Sequence, residues 1–536
     1  MKNVKPLDIK SLTLEQKLGM VICSHLQLGE EEIQNSIQMV KEHRLGAVWL
    51  QHDEKNASEV IARVLEAADY PLLVFTDSEN GLGDCTIPQA ISITAAGAKN
   101  EYAYSFGLAT ADALYDMGYN VVCNPVVDLN QNMNAPCGHT TRTFGTDPET
   151  AARLSAAMVR GIHDGGLLAV SKHYPGGQTS PYDTHMREGF STKTAEELYN
   201  HDLVPYRHLL KEGLLDGVMS GHGLFPNIDK ERPTSLSEKV LSLLRQDGFD
   251  GFFITDALIM MGIVLKYGYR MPVPMCIDAG NDLALPWSTP VATAYDAMKE
   301  GFEKGIISEE ILDAAVARIL KAQAKTLELA KTRKKATQKD FDNIRSITTD
   351  CISARCAEGV KPSISRDGKH LFVIVTEERR PMNADIDYTP GARGWFVPTQ
   401  IGEHIAKYFP NSEAMTIPQY PSTNDNAPFL DKQTRYDDVI FVTAAMSRAY
   451  VGRDCLSSRL VDLMDALQST NRISTHIHFG NPFVAADAPY IERVIMGYCS
   501  ADCVEHAFKI LAGEAEPKGV IPYDCIEFHE KGYIFR

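Results

Sequence analysis

The chain has no surplus of positive charge. Against 53 lysines and arginines stand 70 aspartates and glutamates, a net charge of −17. Nucleic acids and anionic membrane surfaces are held by basic patches, so neither is expected as a partner. No apolar run reaches the roughly 20 residues that a membrane span needs. The first stretch, MKNVKPLDIKSLTLEQKLGM, has no apolar core and no small-residue cleavage site, and so does not read as a signal peptide. Paired cysteines are missing as well. The eleven cysteines are scattered, with no CxxC pair or zinc spacing, and their number is odd. Cys23, Cys123, Cys276 and Cys499 sit in apolar surroundings and read as reduced core thiols of a cytoplasmic protein. There is no GxxxxGK[ST] and no convincing GxGxxG, which argues against nucleotide chemistry. No metal and no organic cofactor is expected.

What is present is a rhythm. Apolar runs at 45–51, 71–77, 120–129, 167–173, 216–222, 251–256 and 281–286 alternate with amphipathic stretches at 57–68, 101–117, 148–164, 194–212, 235–246 and 290–303. A leading helix is expected over 12–24. Continuous apolar strands separated by helices predict a parallel sheet covered on both faces. About seven such units predict an α/β fold of the (β/α)8 TIM-type barrel, although an eighth strand is not evident. A long helix over 305–331 and a charged stretch follow. A second rhythm, with strands at 369–375, 437–445, 474–480 and 493–499, predicts a smaller doubly wound α/β sandwich domain. The expected division is a catalytic barrel over 1–335, a connector over 336–359 and the second domain over 360–536.

The barrel expectation can be tested within the sequence, because such barrels place their chemistry at the C-terminal ends of the strands. Those ends read Asp77, Asp128, Lys172 with His173, His222 and Asp256, whereas the opposite ends read Pro71, Asn120, Leu167 and Asp216. Any one of these acids could simply cap the next helix. Their convergence on one face is what points to a site. Just after Lys172 and His173 the chain runs through Gly176 and Gly177 to Asp183 and His185. Asp-x-His on a loop is usually a local turn or cap. It also builds a carboxylate–imidazole pair, in which the carboxylate fixes the tautomer and raises the basicity of the ring. Such a pair moves protons for a reacting group elsewhere, and Asp256 is the candidate.

These stretches together resemble glycoside hydrolase family 3, in its bacterial β-N-acetylglucosaminidase branch. The match runs through TDSENG (76–81), NPVVDLN (124–130), TRTFGTDPE (141–149), SKHYPGG (171–177), DTH (183–185), the long stretch from VMSGHGLFPNID to ITDALIMMG (218–262) and AGNDLALP (279–286). The resemblance implies a carbohydrate substrate, Asp256 as nucleophile and Asp183 with His185 as the acid/base dyad. It implies that Asp77, Arg142, Lys172 and His173 bind sugar hydroxyls and that His222 lines the pocket. Two positions depart from the common form: Gly177 stands where a histidine is usual, and Cys85 where an arginine is usual.

The implied activity is a retaining exo-β-N-acetylhexosaminidase. A β-glucosidase and a β-glycoside phosphorylase of the same fold are the alternatives, and a sugar-binding protein on an inactive barrel is the reading from another class.

Overall fold

A computed structural model describes residues 4–129, 139–177, 180, 182–376, 396–445 and 455–521. Asn130 of the NPVVDLN stretch, Gln178, Thr179 and Pro181 of the glycine-rich loop, and three stretches of the 360–536 region lie outside the described residues.

The chain forms two compact units. The first contains a seven-stranded parallel sheet in sequence order: β1 (Cys23–His25), β2 (Ala47–Trp49), β3 (Leu73–Thr76), β4 (Val121–Val122), β5 (Leu168–Tyr174), β6 (Gly217–Ser220) and β7 (Phe252–Thr255). The expected 12–24 helix is a correction. A capping box on Thr13 and Gln16 starts it, but it stops at Met20, and Cys23–His25 become β1. After β7 the chain returns to β1. The Leu283 N–H bonds to the Phe253 carbonyl and the Thr255 N–H to the Leu283 carbonyl, at 2.9 and 3.1 Å. On the other side Ala284 and Cys23 bond to Val21 and Ala284 carbonyls, both at 2.9 Å. Residues 283–285 thus bridge β7 and β1.

The strands are short, and side chains on their inner faces meet across the sheet. Phe75 on β3 lies edge-on to Phe252 on β7, with centroids 6.1 Å apart. Burying a ring of this size contributes roughly 1.5–3 kcal/mol. Helices cover the outside. The helix Pro148–Asp164 begins where Asp147 accepts the Thr150 N–H, 2.8 Å, with proline at the first helical position. It crosses the helix Asn100–Asp116 at close range, because a Cβ on Gly161 would lie 2.2 Å from the Tyr104 carbonyl oxygen.

The second unit is built on a six-stranded sheet in the order β10 (Glu413–Pro418), β9 (His370–Thr376), β11 (Asp438–Ala445), β12 (Ile473–Gly480), β13 (Arg493–Gly497) and β8 (Ser353–Cys356). All neighbours are parallel except β13 and β8, which are antiparallel. Ile87–Lys99 and the described part of Asn132–Gly145 group with this unit. The 336–359 segment carries the helix Gln338–Asp350 and then β8.

Candidate active site

Within the first unit, the C-terminal strand ends gather ionisable side chains into three hydrogen-bonded groups. The first centres on Lys172 of β5. Its ammonium is 2% exposed and pairs with Asp77, which follows β3, and with Glu79 Oε1 at 2.7 Å. A buried ammonium is stable only with such partners. Asp77 is held in turn by its N–H, which donates to Gln51 Oε1 at 3.1 Å. Glu79 was not singled out in the sequence, although it stands two residues past Asp77 in the same turn.

The second group is His173 with Asp128. One carboxylate oxygen, Oδ2, accepts from the His173 backbone N–H at 3.0 Å and from Nδ1 at 2.8 Å. The Lys172–His173 peptide between the two groups is cis. Asp128 showed only as one of the strand-end acids, with no role attached.

The third is Asp183 with His185. Asp183 Oδ1 accepts from the His185 backbone N–H and from Nδ1, both at 2.8 Å. Asp183 is buried and His185 partly exposed. Because a carboxylate only accepts, Nδ1 carries the hydrogen, and proton exchange runs through Nε2. The loop is tied down by main-chain bonds. The Gly262 N–H donates to the Thr184 carbonyl at 3.1 Å, and the Met261 N–H to the His185 carbonyl at 3.3 Å. Residues 261 and 262 follow Asp256 by one turn of chain, so the loop and the Asp256 segment are joined.

Asp256 leaves β7 half-buried, with its N–H on the Ser220 carbonyl at 2.9 Å and Oδ1 accepting from Ala257 N–H at 2.7 Å. Burial pushes its pKa up. The charges of His173, His222 and His185 and the Ala257 N–H pull it down and prevail, leaving it at about 2. That pull is at full strength only while the rings are protonated.

His222, buried after β6, has both ring nitrogens engaged by protein. Nε2 donates to the Ala257 carbonyl at 3.0 Å, and Nδ1 accepts from the Ser235 hydroxyl at 2.8 Å. Burial pushes its pKa below the ordinary histidine range, against the pull of Asp256 and the Ala257 bond. The ring is therefore a neutral brace for the Ala257 peptide. Arg142 ends the short helix His139–Arg142, half-buried, and belongs to the second unit.

The two departures from the common loop have physical accounts. Gly177 has φ +67°, and a Cβ there would lie 2.7 Å from Leu198 Cδ2 and 3.0 Å from Asp202 Cγ. Cys85 is buried, with Sγ 2.7 Å from the Leu82 carbonyl oxygen. Burial pushes its pKa up, so it is a neutral thiol and replaces no cation. At the opposite, N-terminal end of β6, buried Asp216 is tied to His163 Nε2 at 2.6 Å and Lys325 Nζ at 2.5 Å. That network uses up its charge in structural bonds.

A parallel α/β sheet with carboxylates and imidazoles at its C-terminal rim is the architecture of many sugar-cleaving enzymes. The chain belongs to glycosyl hydrolase family 3: the family's N-terminal domain matches residues 12–322. It is similar over 95% of its length, and 93% of the relative's, to a β-N-acetylglucosaminidase/β-glucosidase of Cellulomonas fimi, at 25% identity. Two solved structures share the fold over 96% of the chain. One is a family 3 β-N-acetylglucosaminidase from Paenibacillus sp. str. FPU-7, at 24% identity and TM-score 0.79, with 99% of that chain covered. The other is the β-glucoside phosphorylase BglX, at 23% identity and TM-score 0.78, with 94% of that chain covered.

Proposed function

We propose that the protein is a retaining exo-β-N-acetylhexosaminidase. Asp256 attacks the anomeric carbon and forms a glycosyl ester while His185 Nε2 gives its proton to the leaving oxygen. His185, now neutral, then takes a proton from the incoming water, whose oxygen displaces Asp256. Asp183 orients the ring and stabilises its cation, as the third member of a triad does. Asp77, Lys172 and His173 hold sugar hydroxyls and so fix the ring for attack. His222 lines the site by bracing the Ala257 peptide.

The observation that carries this reading is the main-chain tie of the Asp183–His185 loop to Met261 and Gly262, which couples the proton donor to the segment that bears Asp256. The acidic nucleophile is also suited to its task, because its carboxyl is ionised across the neutral range. We extend the proposal to the fold. The bridge through residues 283–285 supports a closed (β/α)8 TIM-type barrel within 1–335, and the place of β8 in the six-stranded sheet supports an α/β sandwich that begins inside the 336–359 segment rather than at 360. Among the described residues, nine free cysteines support a reducing, cytoplasmic compartment, and no helix is long and apolar enough to cross a membrane.

The second reading keeps the site and changes the sugar or the acceptor. The Cellulomonas fimi relative's name joins glucosidase to N-acetylglucosaminidase activity, and the BglX structure is that of a phosphorylase. A panel of nitrophenyl β-glycosides, run with and without phosphate, separates the readings. N-acetylglucosaminide should be cleaved faster than glucoside, and free sugar should exceed sugar 1-phosphate at millimolar phosphate. The opposite ratio in either arm selects the corresponding alternative, and no cleavage at all selects the inactive sugar-binding barrel.

A further inference from the structure

Trp287 follows the 283–285 bridge and has no place in the chemistry above. Its φ is +50°, in the left-handed region that bulky residues rarely occupy. Such backbone outliers concentrate where a site demands a particular side-chain position. The indole is half-buried rather than packed away. Its ring lies over His25 at the end of β1, with centroids 3.9 Å apart and planes 20° from parallel. It meets buried Trp49, at the end of β2, edge-on at 5.8 Å, and Trp49 in turn stacks on Phe75 at 6.0 Å. Phe75 is two residues before Asp77. On the other side, the Leu285 N–H donates to Thr255 Oγ1 at 3.0 Å, and the Leu258 N–H to the Leu285 carbonyl at 3.0 Å. Thr255 and Leu258 flank Asp256. Trp287 therefore stands on the arc of the strand ends that runs from Asp256 round to Asp77.

The ring beneath it carries a second observation. His25 is 5% exposed, and its Nε2 is 2.6 Å from Gln27 Oε1, an oxygen that only accepts. Nε2 therefore bears the hydrogen, and Nδ1 is an acceptor. Among the described residues Nδ1 has no partner, and neither has Trp49 Nε1. Burial pushes the His25 pKa down, more than Gln27 and Glu54 raise it, so the stack is neutral.

We infer that Trp287 is a specificity-determining residue: its indole face carries the apolar C–H face of the sugar ring whose bond is broken. A β-pyranoside with equatorial substituents is polar round its edge and apolar on its faces. Lys172, Asp77 and His173 suit the edge, and an aromatic plane suits the face. The leaving group belongs on the side of His185, whose loop is tied to Met261 and Gly262, and not on the arc from β7 through β1 to β3. The inference rests on the glycosidase reading above.

The test uses free monosaccharides, N-acetylglucosamine and glucose, as competitive inhibitors of aryl glycoside cleavage, since they have no leaving group. For whichever sugar inhibits the wild-type enzyme, Trp287→Ala should raise the inhibition constant about three- to tenfold and Trp287→Phe much less, the range expected of one aromatic contact. Trp287→Phe also keeps a ring against His25, and should abolish any sugar-dependent change in tryptophan emission. Unchanged inhibition constants in both variants overturn the inference while leaving the hydrolase reading intact. So does a variant in which only KM for oligosaccharides rises, since that places the indole at the leaving group. If neither sugar inhibits the wild-type enzyme, the sugar assignment fails and the inference falls with it. If Trp287→Ala does not fold, Trp287→Leu takes its place, and an unchanged inhibition constant in that variant overturns the inference.

Discussion

Asp128 holds His173 in the same way that Asp183 holds His185: a single carboxylate oxygen accepts both the backbone N–H and Nδ1 of its histidine. Two Asp–His pairs of one design thus lie within electrostatic reach of Asp256. Geometry alone makes either a proton donor, and kinetics separates them.

The donor is revealed by its dependence on the leaving group. His185→Ala should slow a natural glycoside by about 10²–10³-fold, within the usual range for general acid–base catalysis, and a nitrophenyl glycoside with a good leaving group far less. His173→Ala should slow both substrates alike, since it acts on the sugar. Rate ratios for the two substrates in the two variants decide the matter; a leaving-group dependence confined to His173→Ala reverses the assignment.

Asp256→Asn should cost roughly 10⁴-fold or more in turnover, as expected for loss of a covalent nucleophile, with folding preserved. A 2-fluoro sugar donor should label Asp256 in the wild-type protein. Peptide mass spectrometry after digestion reads the site directly, and a label on Asp77, Asp128 or Asp183 would overturn the mechanism.

The pH dependence follows from the low pKa of Asp256. Its folded carboxyl, about 2, lies below the ordinary 3.8, so ionisation stabilises the folded state above the ordinary value. That contribution is lost as pH falls through the window between the two. Asp256 therefore does not set an acid limb in the neutral range. With His185→Ala and a nitrophenyl substrate, kcat/KM should stay level from neutrality down to about pH 4. An acid limb between neutrality and pH 4 in that variant means that a further group besides Asp256 and His185 must hold its charge for turnover.

Lys172→Met should leave Asp77 and Glu79 facing each other without their cation. Removing one partner of a buried ion pair is costly, and with Asp77 32% exposed we expect roughly 2–4 kcal/mol of lost stability. Urea unfolding measures it. Lys172→Met with Asp77→Asn and Glu79→Gln should recover much of that loss and none of the activity.

Strand ends were the most legible part of the site. Asp77, Lys172, His173, His222 and Asp256 each close an apolar run, and a parallel sheet brings such ends together whatever the exact strand lengths. Less visible was β1, because Cys23–His25 are three residues that continue the apolar pattern of the helix before them. The neutral brace made by His222 was hidden for another reason. Its partners, Ser235 Oγ and the Ala257 carbonyl, come from segments 13 and 35 residues away, and only the fold pairs them. Glu79 went unnoticed because a second acid in a turn reads as solvated until a buried lysine is found beside it. β8 was masked by the helix that leads into it, whose pattern gives no sign of where it ends.

Gly177 also limits how this loop could change by descent. Any side chain there meets Leu198 and the Asp202 carboxylate, and Asp202 is itself bonded to Lys193 Nζ at 2.5 Å. The +67° backbone adds a cost of order 1–3 kcal/mol for any other residue. A histidine at this position requires the Leu198 methyl and the Asp202 carboxylate to shift, and with Asp202 the Lys193 ammonium it holds. The glycine at 177 thus ties the shape of this loop to the side chains of the 193–202 segment, which would have to move before any larger residue could enter.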